Sequence, residues 1–206
     1  LDKSQTLSEV ALETEKSAAQ AAAPGQAAAP APVADATRPA GMAPNAEEID
    51  RLFDSLEALL RDAEEDAVSH VAIVRVDTPA DAAWGETLTA ALEAAIGEIA
   101  RGLLDEGQTF VPGAPAYLLL EGDTYDQALR RVERLRQQVE ATTFSFDGEE
   151  VPATVTCAFA DARKGDSREQ VTAQLGEALD ESGRVGGNKT FHHDGAFPTE
   201  APRTKV

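Results

Sequence analysis

The sequence predicts an α/β sandwich in which a mixed central β-sheet is flanked by helices. Short β-branched or apolar runs, which are typical of strands, alternate with longer stretches whose apolar residues recur at helical spacing. Turn signals join some neighbouring strands directly, so hairpins interrupt the helical crossovers and the sheet should combine antiparallel with parallel pairs. The chain has 206 residues, enough for one such domain and an additional segment.

The first part of the chain is predicted to lie outside this domain. Residues 1–20 are rich in Ala, Glu, Gln and Leu without a sustained apolar stripe, and are predicted to form a helix or a linker. Residues 21–44 are dominated by Ala and Pro, which bury too little apolar surface to offset the entropy of ordering, so a disordered linker is predicted. The globular domain should then span residues 45–195, and residues 196–206 should form a flexible tail.

The domain is predicted to begin with a helix, a strand and a second helix. Asn45 and Glu48 have the spacing of a capping box at the start of the first helix. Residues 71–76 are short and β-branched, which indicates a strand. The second helix is predicted to start at Thr78 and to end near Gly107. Its apolar residues share one face: Trp84, Leu88, Ala91, Leu92, Ala95, Ile96, Ile99 and Leu103.

A hairpin is predicted at the centre of the domain, over residues 110–121. Phe110, Val111 and the apolar run 117–120 are too short for a helix and indicate two strands. Residues 112–115 contain two prolines and a glycine, which is typical of a turn. No side chain of this turn can hold a metal, a proton or a phosphate, and this absence bears most directly on function.

The remainder of the domain is predicted to hold two helices and three further strands. Asp147-Gly148 is a hairpin signal, and Ser167 with Gln170 forms a capping-box pattern. The elements predicted in this part are a helix over 125–139, strands over 144–146 and 154–160, a helix over 167–183 and a terminal strand over 189–192.

Composition argues against several classes of function. The net charge is −19 at pH 7, which would repel phosphate backbones, so no nucleic-acid binding is expected. No apolar segment is long enough to cross a bilayer and no signal peptide is visible, so no membrane partner is expected. Cys157 is the single cysteine, so no disulfide can form within the chain, which fits a reducing cytoplasm.

The order of elements over residues 45–195 resembles the GGDEF domain of diguanylate cyclases. The most specific similarity lies in the helix segment 129–140, in the hairpin and strand over 144–160, and in residues 177–189. The last of these is similar to the Glu-Ala-Leu-Tyr-x-Ala-Lys-x-x-Gly-x-Asn ending of the family. The resemblance implies the family's nucleotidyl cyclase-type sandwich, with a central mixed sheet flanked by helices, in a bacterial signalling protein.

This resemblance fails at the residues that carry the family's activity. In the family, a Gly-Gly-Asp/Glu-Glu-Phe hairpin lets the backbone approach GTP and supplies acids that bind metal and support catalysis. Aligned on the leucine run 118–120, these five positions fall on Pro112, Gly113, Ala114, Pro115 and Ala116, which makes the signature degenerate.

The family's metal-binding strand is also altered. It ends in Asp-x-Asp, and the metal-holding first Asp falls on Arg75, where a cation opposes a hard divalent ion. Asp77 matches the second Asp and is a weak metal candidate, although a capping or turn role is favoured. Other family positions that are replaced fall on Ala80-Asp81, Trp84-Gly85, Leu103 and Glu106.

These departures predict a non-catalytic regulatory or protein-interaction domain that uses no metal or cofactor. Phosphoryl transfer needs metal and positive charge to stabilise charge on the phosphates, and the lost carboxylates remove the metal's ligands. Two alternatives stay open: a diguanylate cyclase with residual activity, which would require GTP and Mg²⁺, and a receptor that binds GTP or cyclic di-GMP without turnover. A protein partner is expected but not identified, and a homodimer stays open.

Three further features favour structure over chemistry. Residues 183–190 nearly match a P-loop, but Asn188 replaces a required glycine and the segment follows a helix, so a turn is favoured. His192 and His193 are adjacent on a predicted strand, so they should face opposite sides and form a solvated strand end rather than a ligand pair. Trp84 is expected in the core rather than stacked on a base.

Overall fold

A computed structural model describes residues 34–35, 46–78, 84–105 and 108–203 of the chain, with the backbone alone for residues 34–35. The helix or linker predicted over residues 1–20, most of the linker predicted over 21–44, and the cap Asn45 lie outside these residues. The helices are α1 (Ala46–Asp62), α2 (Glu86–Gly102), α3 (Tyr125–Ala141) and α4 (Arg168–Arg184). The strands are β1 (Ala34–Asp35), β2 (Val68–Asp77), β3 (Thr109–Val111), β4 (Ala116–Leu120), β5 (Phe144–Phe146), β6 (Glu149–Val151), β7 (Thr154–Arg163), β8 (Thr190–His193) and β9 (Pro198–Glu200).

The central sheet has six strands in the order β3-β4-β2-β7-β8-β9. Strands β7 and β8 pair in parallel, and the other neighbours in this sheet pair antiparallel. A second, small sheet has the order β1-β5-β6, and β1 falls within the segment predicted as a linker. The predicted α/β class with a mixed sheet flanked by helices is confirmed.

The core consists of two apolar layers, one on each face of the sheet. Ala72 and Val74 of β2 face α2 and α3, whereas Val71 and Ile73 face α1 and α4. This follows from the two-residue period of a strand, which sends successive side chains to opposite faces. Every residue of β7 from Val155 to Ala162 is buried, because helices cover it on both sides. Burying one large apolar side chain contributes roughly 1.5–3 kcal/mol, so this strand anchors both layers.

The predicted boundaries of two helices are wrong. Helix α2 begins at Glu86 after an extended Gly85, not at Thr78, and it ends at Gly102 rather than near Gly107. The Thr-Pro start signal is local, whereas the buried residues that define this helix are all found after Gly85. Trp84 precedes the helix, although it packs against the α2–α3 layer as predicted.

Helix α4 has the predicted capping box, in which Ser167 and Gln170 bond each other's backbone. It continues through Gly183 to Arg184, so the predicted stop at Gly183 is one residue early.

The expectation of a frayed tail after Ala196 is wrong for residues 198–201. Strand β9 pairs antiparallel with β8, and the buried Ala201 donates its backbone N–H to the Thr190 carbonyl oxygen at 2.9 Å. The turn between β8 and β9 is stabilised by the Asp194 carboxylate, which accepts hydrogen bonds from the backbone N–H groups of Ala196 and Phe197 at 2.8 and 3.2 Å. Residues 204–206 lie outside the described part. Among the described residues, no helix combines the length and the apolar character needed to cross a membrane.

Candidate functional site

The central hairpin forms where it was predicted. Strands β3 and β4 pair antiparallel with Val111 opposite Tyr117, and residues 112–115 make the turn. The side chains of this turn are two proline rings, a methyl group and a hydrogen atom. The turn therefore offers no ligand for a metal and no group that could accept or donate a proton.

Arg75, on which the family's metal position falls in the resemblance, lies beside this turn. The register of β2 with β4 ends at Val74 opposite Ala116, so Arg75 is the next residue along the strand. Its guanidinium crosses to α4, where Nη2 donates to the Leu179 carbonyl oxygen at 3.3 Å. The cation at this position therefore links β2 to α4.

Asp77 has a structural role, because its carboxylate is occupied by three hydrogen bonds from the protein. Oδ2 accepts from the Thr154 hydroxyl at 3.0 Å and from the Asn188 backbone N–H at 2.8 Å. Oδ1 accepts from the Thr156 hydroxyl at 2.6 Å. These bonds fasten the turn after α4 to β2 and β7, in agreement with the favoured turn role.

The segment that resembles a P-loop is this same turn. Gly186, Gly187 and Asn188 have φ angles of 100°, 73° and 48°, the left-handed region that favours glycine. A Cβ at Gly187 would lie 3.1 Å from the Asp77 carboxylate. The space in which such a turn would hold a phosphate is therefore filled by a carboxylate of the chain itself, and the predicted turn is confirmed.

A small cavity lies beside the hairpin on the α2 face of the sheet. Its walls include Ile96, Phe110 and Ala116, and its one titratable lining group is Glu93. Burial raises the pKa of Glu93, since a low-dielectric surrounding disfavours the carboxylate. Arg75 and Asp77 point to the opposite, α4 face, so the structure does not bring Asp77 into this cavity. No group of three or more His, Cys, Asp or Glu among the described residues is arranged to hold a metal ion.

A buried polar network on α3 was not predicted from the sequence. Glu133 and Arg136 are 1% and 2% exposed, and Arg136 Nε donates to Glu133 Oε1 at 2.9 Å. Arg136 Nη1 also donates to the Asn188 side-chain oxygen at 2.7 Å and to Glu140 at 2.9 Å. Burial alone would raise the pKa of Glu133, but hydrogen bonds from Arg136, Thr190 and Gln137 outweigh burial and lower it. The sequence offers one indication of this network, because Glu133 and Arg136 each directly follow a core-facing apolar residue of α3, Val132 and Leu135.

The expectation that His192 and His193 form a solvated strand end is wrong, since they are 8% and 2% exposed. They do face opposite sides: His192 stacks on Phe159 in the α2–α3 layer, and His193 lies 3.3 Å from Glu177 of α4. Strand β9 covers β8, and this cover was not anticipated.

His192 belongs to a buried cluster on the α3 face. Its Nε2 lies 2.8 Å from Asp161 Oδ1, and His70 Nε2 lies 3.4 Å from the same oxygen. Burial lowers the pKa of His70, while the charge of Asp161 opposes this shift. Burial would raise the pKa of Asp161, but the hydrogen bond and charge of His192, together with His70 and Arg163, lower it. The cluster is packed beneath Tyr125, whose ring lies 4.8 Å from His192.

No family model matches the sequence, and no curated protein matches it. Solved structures do match. The GGDEF domain of DgcB from Caulobacter crescentus, in complex with c-di-GMP, has a TM-score of 0.60 at 16% identity and covers 70% of this chain and 87% of its own. The GGDEF domain of YfiN (TpbB) from Pseudomonas aeruginosa has a TM-score of 0.62 at 18% identity, and the match covers 73% of this chain and 95% of that domain. Diguanylate cyclase SiaD from the same organism, in complex with its activator SiaC, has a TM-score of 0.62 at 17% identity. The match covers 90% of this chain and 67% of the SiaD chain.

At these sequence identities the matches show a shared backbone fold and do not show a shared chemistry. This shared fold agrees with the six-stranded mixed sheet, with the hairpin between α2 and α3, and with the long strand β7 between two helical layers. The described domain of this chain has the fold of GGDEF diguanylate cyclase domains.

Proposed function

We propose that this chain carries a non-catalytic GGDEF-fold domain that acts in bacterial cyclic di-GMP signalling by binding a protein partner. The observation that carries the proposal is the contrast between the scaffold and the hairpin. The hairpin turn has the right place and register, but it contains no carboxylate, and Arg75 stands beside it.

The family-like parts of this chain support the fold rather than a reaction. Arg136 in segment 129–140 bonds Asn188 in segment 177–189, and Asn188 in turn bonds Asp77 of β2. These contacts join the segments in which the resemblance is most specific. The positions that would meet GTP and metal are the ones that carry proline, alanine and arginine.

Electrostatics supports the same proposal. A nucleoside triphosphate is bound and cleaved with the help of metal ions and cationic side chains that neutralise its phosphates. Here the cavity beside the hairpin offers one carboxyl group, and Asp77 is engaged with three donors. A chain with a net charge of −19 repels a triphosphate that arrives without such help.

The neighbours support the signalling context and the partner. One is a domain in complex with c-di-GMP, and another is a cyclase in complex with its activator protein. We place the protein in the cytoplasm, because its single cysteine, Cys157, is a free thiol, and chains without disulfides are typical of reducing compartments.

The test is a cyclase assay on the full chain with GTP and either Mg²⁺ or Mn²⁺, followed by chromatographic detection of cyclic di-GMP. We expect no product, since the metal carboxylates of the turn are absent. An active diguanylate cyclase assayed in parallel controls for the reagents. Product that disappears in a variant of Asp77 would identify the chain as a cyclase with an atypical site. Calorimetric binding of GTP or cyclic di-GMP without product would identify a receptor, and would also overturn the proposal.

A further inference from the structure

A groove runs between helix α1 and the edge strand β3. It consists of two depressions, of about 550 and 440 Å³, which meet at Ser55 and Thr109. Among the described residues, β3 pairs with β4 alone, so its outer backbone edge has no strand beside it. An uncovered strand edge with a groove alongside can accept another strand.

Helix α1 lines this groove with one stripe of exposed side chains. Arg51, Ser55, Ala58 and Asp62 follow each other at intervals of three and four residues, so they lie on one face of the helix. The two central side chains are small and leave room for another helix. The stripe is basic at one end and acidic at the other.

The walls beyond the stripe carry further charges. Arg101 lies at the basic end, where its guanidinium packs over the Phe110 ring at 5.3 Å and pairs with Glu98. Glu121 lies at the acidic end, beside Asp62. Glu48 also lines this end, so the walls there are mixed in charge. On the stripe itself, Arg51 and Asp62 lie equally far from the midpoint between Ser55 and Ala58.

We propose that a second copy of this chain occupies the groove, related by a two-fold axis that sets the two β3 strands antiparallel. The axis would pass beside the midpoint of the stripe, between Ser55 and Ala58. Arg51 would then face Asp62 of the partner subunit, and Asp62 would face Arg51 of the partner subunit. The surface is thus complementary to itself, which is the requirement for a two-fold interface.

The spacing of the layers permits this arrangement. Helix α1 packs over β3 and β4 at the edge of the sheet. Paired strands lie about 4.8 Å apart, so each α1 axis would lie about one strand spacing from the two-fold axis. The two helices would then be separated by about 10 Å, a normal distance for packed helices. A continuous sheet of both copies could therefore form with the α1 helices side by side.

A second copy fits the groove better than an unrelated strand does, because it brings both required charges in the required order. Each favourable contact also occurs twice in a closed two-fold pair. The net charge of −19 on each copy opposes association at long range, so the dimer should be concentration-dependent.

The test uses sedimentation velocity on the full chain from micromolar to millimolar concentration. We expect a monomer–dimer equilibrium that is weakened by about tenfold or more in Arg51→Glu and, separately, in Asp62→Arg, since each places like charges opposite each other twice. An equimolar mixture of these two variants should form a heterodimer, and the double variant should regain the homodimer. Arg61→Glu makes the same charge change on α1 outside the groove and should associate like the wild type.

A wild type that stays monomeric over the whole range would overturn the proposal. A dimer that both single variants leave unchanged would place the interface elsewhere, with the same consequence. Mixed variants that remain monomeric would contradict the proposed pairing of Arg51 with Asp62. Circular dichroism of each variant checks that the exposed substitutions leave the fold intact.

Discussion

Asp77 illustrates how one carboxylate can hold several distant parts of a fold together. Its carboxylate accepts hydrogen bonds from the Thr154 and Thr156 hydroxyls of β7 and from the Asn188 backbone N–H in the turn after α4. Its identity with a family position was visible in the sequence. Its three partners were not, because 77 to 111 residues separate them from it in the chain.

At this scale we predict that Asp77→Ala destabilises the domain by about 2–4 kcal/mol, because three hydrogen bonds to a charged acceptor are lost and the half-buried backbone N–H of Asn188 loses its partner. Denaturant unfolding measures the change, and Asp54→Ala on the exposed side of α1 is the control. An increase in stability would contradict the structural role. It would indicate that the negative charge of Asp77 destabilises the fold, as the charge of a metal ligand does when no metal is bound.

At the scale of elements, helix α3 is amphipathic as its apolar stripe predicts, yet it buries an ion pair. Leu129, Val132, Leu135 and Val139 point into the core. Glu133 and Arg136 are buried with them because Asn188 and Thr190, from the far end of the chain, complete their hydrogen bonds. Periodicity predicts which face of a helix turns inward, but it cannot predict that a distant turn will satisfy charged side chains there.

We predict that Arg136→Met costs about 3–5 kcal/mol at neutral pH, because Glu133 is left buried without its cation. Urea unfolding should show the loss, which Glu133→Gln in the same chain should partly reverse. Arg130→Met, on the exposed face of α3, serves as the control. A loss equal to that of the control would show that the buried pair contributes nothing.

The stability of the Arg136→Met variant should depend on pH in a direction opposite to the contribution that Glu133 makes in the wild type. In the wild type the pKa of Glu133 is lowered below 4.5, so its stabilising contribution is present above that pH and is lost as pH falls through the folded-state value. Without Arg136, burial raises the pKa of Glu133, and the variant should gain stability as pH falls towards 4.5. The difference between the two proteins should therefore narrow on acidification.

At the scale of the molecule, the fold class and most of the sheet follow from local patterns. The central hairpin was predicted because prolines and a glycine separate two apolar runs, and the same residues show that its turn contains no acidic side chain. Strand β9 and the groove beside β3 were not predicted. Both depend on which strands become neighbours, and three-residue strands carry too little pattern to specify that.

The acidic character of the whole chain leads to a further prediction. Self-repulsion at a net charge of −19 destabilises the compact state, so the thermal midpoint should rise by a few degrees as NaCl is added from low ionic strength. Differential scanning calorimetry measures the shift, and KCl at equal ionic strength should give the same value. A falling midpoint would show that local ion pairs outweigh the repulsion.

The position of β9 also decides where the domain can be shortened. The family resemblance ends at Gly195, and a fragment cut there would look complete by sequence. Such a cut would remove the strand that covers β8, the buried Ala201 and the contact of Lys189 with Glu200. It would leave a bare strand edge beside His192 and His193, a surface on which fragments can join edge to edge and precipitate. We therefore expect the minimal soluble unit of this protein to include Ala201.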